Sequence, residues 1–260
     1  MENLAFSLNA AVPVFLMMVL GLFFRKIGWI DEDFAAKMNK FVFMVPLPTL
    51  VFKDLATVDF REVWDVKFVL YCFGITLLSI ALAALLSCLW KDRSIRGEFI
   101  QASYRSSAAL LGIAFIQNIY GTAGMAPLMI IGSVPLYNIM AVLVLSLFRP
   151  DQGGLDRKVI KRTLKGIVTN PIILGIGAGL LWSALRIPMP VIVEKTVSSV
   201  AAMATPMGLM AMGASFDIKK AFATGKPALA AAFIKLVGFC ILFLPIAVGM
   251  GFRQEKLVAI

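Results

Sequence analysis

The chain alternates long apolar stretches with short polar links. Eight stretches stand out, at roughly 8–24, 38–53, 67–90, 98–119, 125–148, 167–186, 196–214 and 227–251. A straight membrane-spanning helix needs about 20 predominantly apolar residues. The pattern therefore predicts an all-α polytopic membrane protein in which several spans are too short, or too interrupted, to cross as one straight helix. The second stretch holds Pro46 and Pro48, and the seventh holds Pro206 followed by Gly208. Proline removes a backbone donor and crowds the preceding turn, so both stretches are expected to break there. The fourth opens on Gln101, Ser103, Tyr104, Arg105, Ser106 and Ser107 and then turns small as far as Gly112. It too reads as an unwound span, because hydroxyls can satisfy backbone groups that a break releases.

The first third of this pattern returns 158 positions later. Pro13 recurs as Pro171, Gly21-Leu22 as Gly179-Leu180, Pro48 as Pro206 and Asp59 as Asp217, without a gap. Arg96 and Glu98 return as Arg253 and Glu255 at a shift of 157. Only 9 of 48 positions between 13–60 and 171–218 are identical, so the weight rests on proline, glycine and aspartate recurring in register. Internal repeats in a membrane chain are the signature of secondary transporters, whose substrate lies between the two halves. The expected organisation is a first five-helix repeat over 1–148, a basic link over 149–166, and a second repeat over 167–260. That second repeat contains three helices and the start of a fourth, eight of ten helices in all, so the repeat predicts a longer chain with a ninth and a tenth span.

Composition and charge sharpen this picture. The chain is 60% hydrophobic and carries a net charge of +10, which by itself could suggest a nucleic-acid partner. The distribution argues against one. With the N-terminus outside, the inner loops hold sixteen Lys and Arg and the outer loops seven, the bias of a multi-pass protein with positive loops inside. The expected setting is the inner (plasma) membrane, with the lipid bilayer as partner and the 149–166 link in the cytoplasm. Five spans per half is an odd number, so the second half enters from the opposite side and the repeat is an inverted one. Only Glu2 precedes the first span as a charge, so no basic leader of a cleavable signal is expected. Cys72, Cys88 and Cys240 all fall in apolar stretches and read as small packing residues, not as a disulfide or metal framework.

Two basic residues lie within spans, Arg105 in the fourth and Lys235 in the eighth. A charge at membrane depth is costly and marks a functional candidate. The chain has no histidine, and its carboxylates lie at span ends or in links. A hydrolase would need a base or a metal cluster that these residues cannot assemble, so no enzyme activity, cofactor or metal is expected. Positive charge at depth without negative charge favours an anionic substrate. The candidate binding set is Lys235 and Arg105 for charge, with Ser103, Ser106, Ser107, Asn138 and Thr205 for hydrogen bonds. The helix-break set is Pro46, Pro48, Gly112, Pro206 and Gly208.

Several motifs in order resemble the auxin efflux carrier family, which includes bacterial malate/malonate-type permeases. They are Thr169-Asn170-Pro171 opening the sixth stretch, Thr205-Pro206 with its Met-Gly-Leu-Met run in the seventh, Lys235 with downstream Pro245 in the eighth, the Arg-containing fourth stretch, and Pro135-Leu136-Tyr137-Asn138 in the fifth. The resemblance covers the whole chain. It implies a bile-acid-transporter-like fold of two inverted five-span repeats with broken, crossing fourth and ninth spans. It also implies a small organic anion (malate, malonate or an auxin-like acid) carried by alternating access, and a homodimer. Ser106-Ser107 stand where family members often carry asparagine. Two other readings are a sodium-coupled carrier of bile-acid type and a non-transporting receptor or assembly protein on the same fold.

Overall fold

The computed structural model describes residues 2–57, 64–147, 161, 165–217 and 225–260. Nearly all of the 149–166 link, and Asp59, lie outside them. The described residues are helical, without strands, and a helical element covers the core of each of the eight predicted stretches. In chain order these are α1 (Glu2–Lys26), α2 (Glu32–Met44), α3 (Pro46–Ala56), α4 (Val66–Ser87), α5 (Arg93–Tyr104), π1 (Ala108–Gly112), α6 (Ile113–Tyr120) and α7 (Ala126–Leu147). Then follow α8 (Pro171–Ala184), α9 (Val191–Ala202), α10 (Ala204–Ser215), α11 (Gly225–Phe233), π2 (Ile234–Gly238), α12 (Phe239–Gly249) and α13 (Glu255–Ala259). Four stretches among the described residues, Val66–Ser87, Ile95–Tyr120, Val191–Ser215 and Gly225–Gly249, are long and apolar enough to cross a bilayer. Large apolar side chains such as Leu229, Leu236 and Ile241 are exposed on them. In water that surface would be a liability, and in lipid it is a matched face.

Local chemistry sets the helix ends. The Asp31 carboxylate accepts from Phe34 N at 2.7 Å to cap α2, and Asp65 accepts from Phe68 N at 3.0 Å to cap α4. Asn170 accepts from Ile172 N at 2.9 Å and Ile173 N at 3.4 Å, with Pro171 at the first helical position of α8. The Asn-Pro pair is thus a helix start, its side chain supplying the acceptor and its proline needing no donor. Between α2 and α3 the chain leaves helical geometry at Val45 (φ −127°, ψ −70°), as the residue before a proline is pushed to do. The Thr49 hydroxyl donates to the Val45 carbonyl at 2.8 Å, a second donor where Pro46 and Pro48 supply none.

The chain divides into two compact units. Unit 1 comprises 1–64, 107–127 and 170–217, and unit 2 comprises 65–106, 128–169 and 218–260. Each draws on both halves of the sequence. Unit 1 is held by close helix crossings, α3 on α8 and α1 on α10. A Cβ at Gly213 would lie 1.9 Å from the Met18 carbonyl oxygen, and one at Gly21 would lie 2.1 Å from that of Met210, so glycine is what lets these backbones meet. Its buried clusters join Ile30, Ala35, Met38, Ala211 and Ala214, and Val14, Ala114 and Leu209. Arg25 closes one end of α10, donating to the Ala214 carbonyl at 2.9 Å and to Glu32 at 2.5 Å.

Unit 2 is centred on α4. Its core joins Ile80 and Ala83 of α4 to Ile100 and Tyr104 of α5 and Val144 of α7. At its far end the Phe252 ring lies 5.6 Å from Phe68 and 5.1 Å from Tyr71. The Tyr71 hydroxyl donates to the Phe243 carbonyl at 2.7 Å, and Lys67 to that of Met250, also at 2.7 Å. Lys256 pairs with Asp65 at 2.5 Å. Cys72 is buried, whereas Cys88 and Cys240 are exposed, so the packing role read for all three cysteines holds for Cys72 alone.

The Asp65 pair gives a pH prediction. Desolvation pushes this carboxyl up, but the Lys256 ammonium and the Phe68 and Lys67 amides together outweigh it and hold it below its ordinary value. A depressed acid stabilises the fold above its unfolded-state value, and that stabilisation is lost as pH falls through the folded-state value. Asp65→Asn keeps the cap acceptor and removes the charge. At neutral pH it should cost about 0.2–1 kcal/mol, as exposed pairs do. Thermal unfolding in detergent should show the wild type losing this margin on acidification while the variant does not. Parallel acid profiles would show that the pair contributes nothing.

Candidate functional site

The fourth span breaks where its polar opening ends. α5 stops at Tyr104, residues Arg105–Ser107 are not helical, and the chain resumes as the π-helix π1. The Ser107 carbonyl receives Leu111 N at 2.9 Å and Gly112 N at 3.2 Å, which starts the second segment. The last carbonyls of a helix have no partner within it, and they carry the negative end of its dipole. At this break the Lys235 ammonium donates to the Arg105 carbonyl. Lys235 itself stands in π2, a π-helical segment of the eighth span. Such bulges interrupt regular winding and recur at functional sites. The cation expected at depth is therefore fastened to the broken end of α5, both residues belonging to unit 2.

A group of hydroxyls lies in the same unit. The side chains of Thr76, Ser106 and Ser133 are hydrogen-bonding neighbours of the Tyr137 hydroxyl. A phenol can donate once and accept twice, so these hydroxyls can pair among themselves or with a ligand. The Tyr137 ring lies 5.7 Å from that of Tyr104. Tyr104 is only 3% exposed, and its hydroxyl has no hydrogen-bond partner among the described residues.

The remaining expected residues are placed as follows. The Ser103 hydroxyl is buried and donates to the Phe99 carbonyl of its own helix at 2.8 Å, so it is already engaged. Asn138 lies part-buried in α7, one residue beyond Tyr137. Ser107, Thr205, Gly112, Gly208 and the three prolines belong to unit 1. There Thr205 donates to Gln117 Oε1 at 2.5 Å. Gly208 admits Leu110 of π1, since a Cβ on it would lie 2.3 Å from Leu110 Cδ1. Among the described residues, no group of three or more His, Cys, Asp or Glu could hold a metal ion.

Sequence reasoning missed Tyr104, Tyr137, Thr76, Ser133 and Gln117. A signal existed for two of them: Ser133 and Tyr137 are four apart in an apolar helix and so share one face. Nothing in the sequence pairs them with Thr76, some sixty positions away.

The described residues thus form a set of apolar helices interrupted by two π-helical segments, with one break beside Lys235. A search of curated proteins returns no match. The sequence profile described as "membrane transport protein" matches residues 6–260. That profile describes transporters, not enzymes, and with the apolar spans it makes this a multi-pass membrane protein. The chain belongs to the membrane transport protein family of the auxin efflux carriers.

Proposed function

We propose that the protein moves a small organic anion across the membrane by alternating access. The observation that carries this reading is the Lys235 ammonium held on the Arg105 carbonyl at the break of the fourth span. It is a fixed positive charge within the spans, beside a hydroxyl group centred on Tyr137. A half-buried cation with hydrogen-bonding neighbours recognises a carboxylate. Arg105, exposed beside the same break, adds a second positive charge, and Ser106 contributes through Tyr137.

An inverted repeat underlies the proposed mechanism, and two features support it. The helical elements divide at Val45, which leaves helical geometry, and at Met203, which keeps it (φ −75°, ψ −18°), two positions 158 apart, the shift at which the sequence recurs. The Gly21–Met210 crossing in unit 1 also has a counterpart at Gly179, where a Cβ would lie 2.8 Å from the Phe52 carbonyl oxygen. Exchanging the halves at that shift converts one pair into the other. The charge bias of the links supports an N-terminus outside the cell membrane.

Uptake by proteoliposomes tests the reading. Labelled malonate, malate and indole-3-acetate should include at least one acid that enters saturably. Vesicles that take up none of them beyond protein-free controls would refute it.

A further inference from the structure

We infer that the Tyr104 hydroxyl is a hydrogen-bond donor reserved for the cargo, and that it favours acids carrying a second oxygen acceptor besides the carboxylate. The inference rests on the carrier reading above and names the cargo feature that this part of the site would select.

Three consecutive residues carry three different states at the break. Tyr104 presents a buried hydroxyl without a partner among the described residues. The Arg105 carbonyl receives the Lys235 ammonium. The Ser106 hydroxyl is engaged with Tyr137. Buried polar groups in proteins are almost always paired, and in a membrane span no bulk water is at hand to pair them. The hydroxyl is also not needed for packing. The ring sits among Ile80, Ala83, Ile100 and Val144, and a phenyl ring would fill the same space. Tyr137, whose ring lies 5.7 Å from that of Tyr104, has hydroxyl neighbours of its own in Thr76, Ser106 and Ser133.

Position supplies the ligand. Adjacent α-carbons are about 3.8 Å apart, so Tyr104 stands one residue from the carbonyl on which Lys235 rests. A carboxylate drawn to that ammonium brings the rest of a short acid to the end of α5. An ammonium offers donors only, and a phenol hydroxyl can donate as well. The complementary cargo therefore carries an acceptor for each: one carboxylate, and a second oxygen in a hydroxyl, keto or carboxyl group. Because Tyr104 is buried, bulk solvent does not compete with cargo for its hydroxyl. A site built around such a donor discriminates against ligands that leave it unpaired.

Tyr104→Phe removes the hydroxyl alone. Uptake of labelled malate and labelled butyrate is measured in proteoliposomes holding wild type or variant, with thermal unfolding of each in detergent. The wild type is expected to favour malate. In the variant, KM for malate should rise about five- to tenfold, the size of one hydrogen bond, with Vmax within twofold, butyrate unchanged, and Tm unchanged or raised. An unaltered malate KM would mean that the hydroxyl serves an ordered water only, and would overturn the inference while leaving the carrier reading intact. A lowered Tm with KM and Vmax shifting together would overturn it in favour of a packing role. Wild-type preference for butyrate over malate would do the same. No uptake of any acid by the wild type would remove the carrier reading and this inference with it.

Discussion

Replacing Lys235 by alanine is expected to lower carboxylate uptake by at least tenfold. The ammonium does two things at once. It satisfies a carbonyl at the broken end of α5, where the helix dipole is negative and no water of the bulk is at hand. It also holds a positive charge within the spans. A hydrogen bond to a charged group contributes about 1.5–3 kcal/mol, which corresponds to one or two factors of ten in an equilibrium constant. Loss of the charge also removes the attraction for the cargo. Lys235→Met keeps much of the side chain's length and should fail as alanine does. Lys235→Arg keeps the charge and should retain part of the activity. Initial rates normalised to correctly inserted protein check this. Alanine and methionine variants with wild-type rates would return Lys235 to a residue that merely reaches for the interface.

The second large effect belongs to the glycine crossings of unit 1. Gly213→Ala places a methyl where the Met18 carbonyl oxygen, carbonyl carbon and α-carbon lie at 1.9, 2.6 and 2.7 Å. These are backbone atoms and cannot rotate aside, so α1 and α10 must separate. Overpacking a core costs about 1–3 kcal/mol when side chains can adjust, and here the cost should reach or exceed the upper value. Gly177→Ala is the matched control. Gly177 lies in α8 with nothing within 4 Å of its ideal Cβ, and alanine favours helix over glycine by about 1 kcal/mol. Unfolding midpoints in detergent should fall sharply for Gly213→Ala and hold or rise for Gly177→Ala. Equal midpoints would mean that the crossing is looser than the structure has it.

Much of the helical framework was legible in the sequence, for identifiable reasons. Apolar runs must be helical in lipid because every backbone group needs a partner there, so the pattern alone located the elements. Proline chemistry marked the break before Pro46, whereas the backbone before Pro206 stays helical at Met203 (φ −75°, ψ −18°); the polar run at 101–107 marked the break of the fourth span. Lys235 and Arg105 stood out because charge within a span is costly. The association of the helices was not legible. Unit 2 takes α4 and α5 from one half and α11 and α12 from the other, and no local signal announces that choice. For the same reason the partner of Lys235 proved to be a backbone carbonyl, which carries no residue identity for sequence reasoning to find. Tyr104 passed as an ordinary aromatic because its unpaired state exists only in three dimensions.

The most direct test of the central claim is saturable, protein-dependent uptake of a labelled carboxylate into proteoliposomes, with unlabelled acid as competitor. The account predicts that malonate, malate or indole-3-acetate enters against the protein-free control, is displaced by its unlabelled form, and is lost with Lys235→Ala. Wild-type vesicles that neither take up nor bind any of these acids would contradict it.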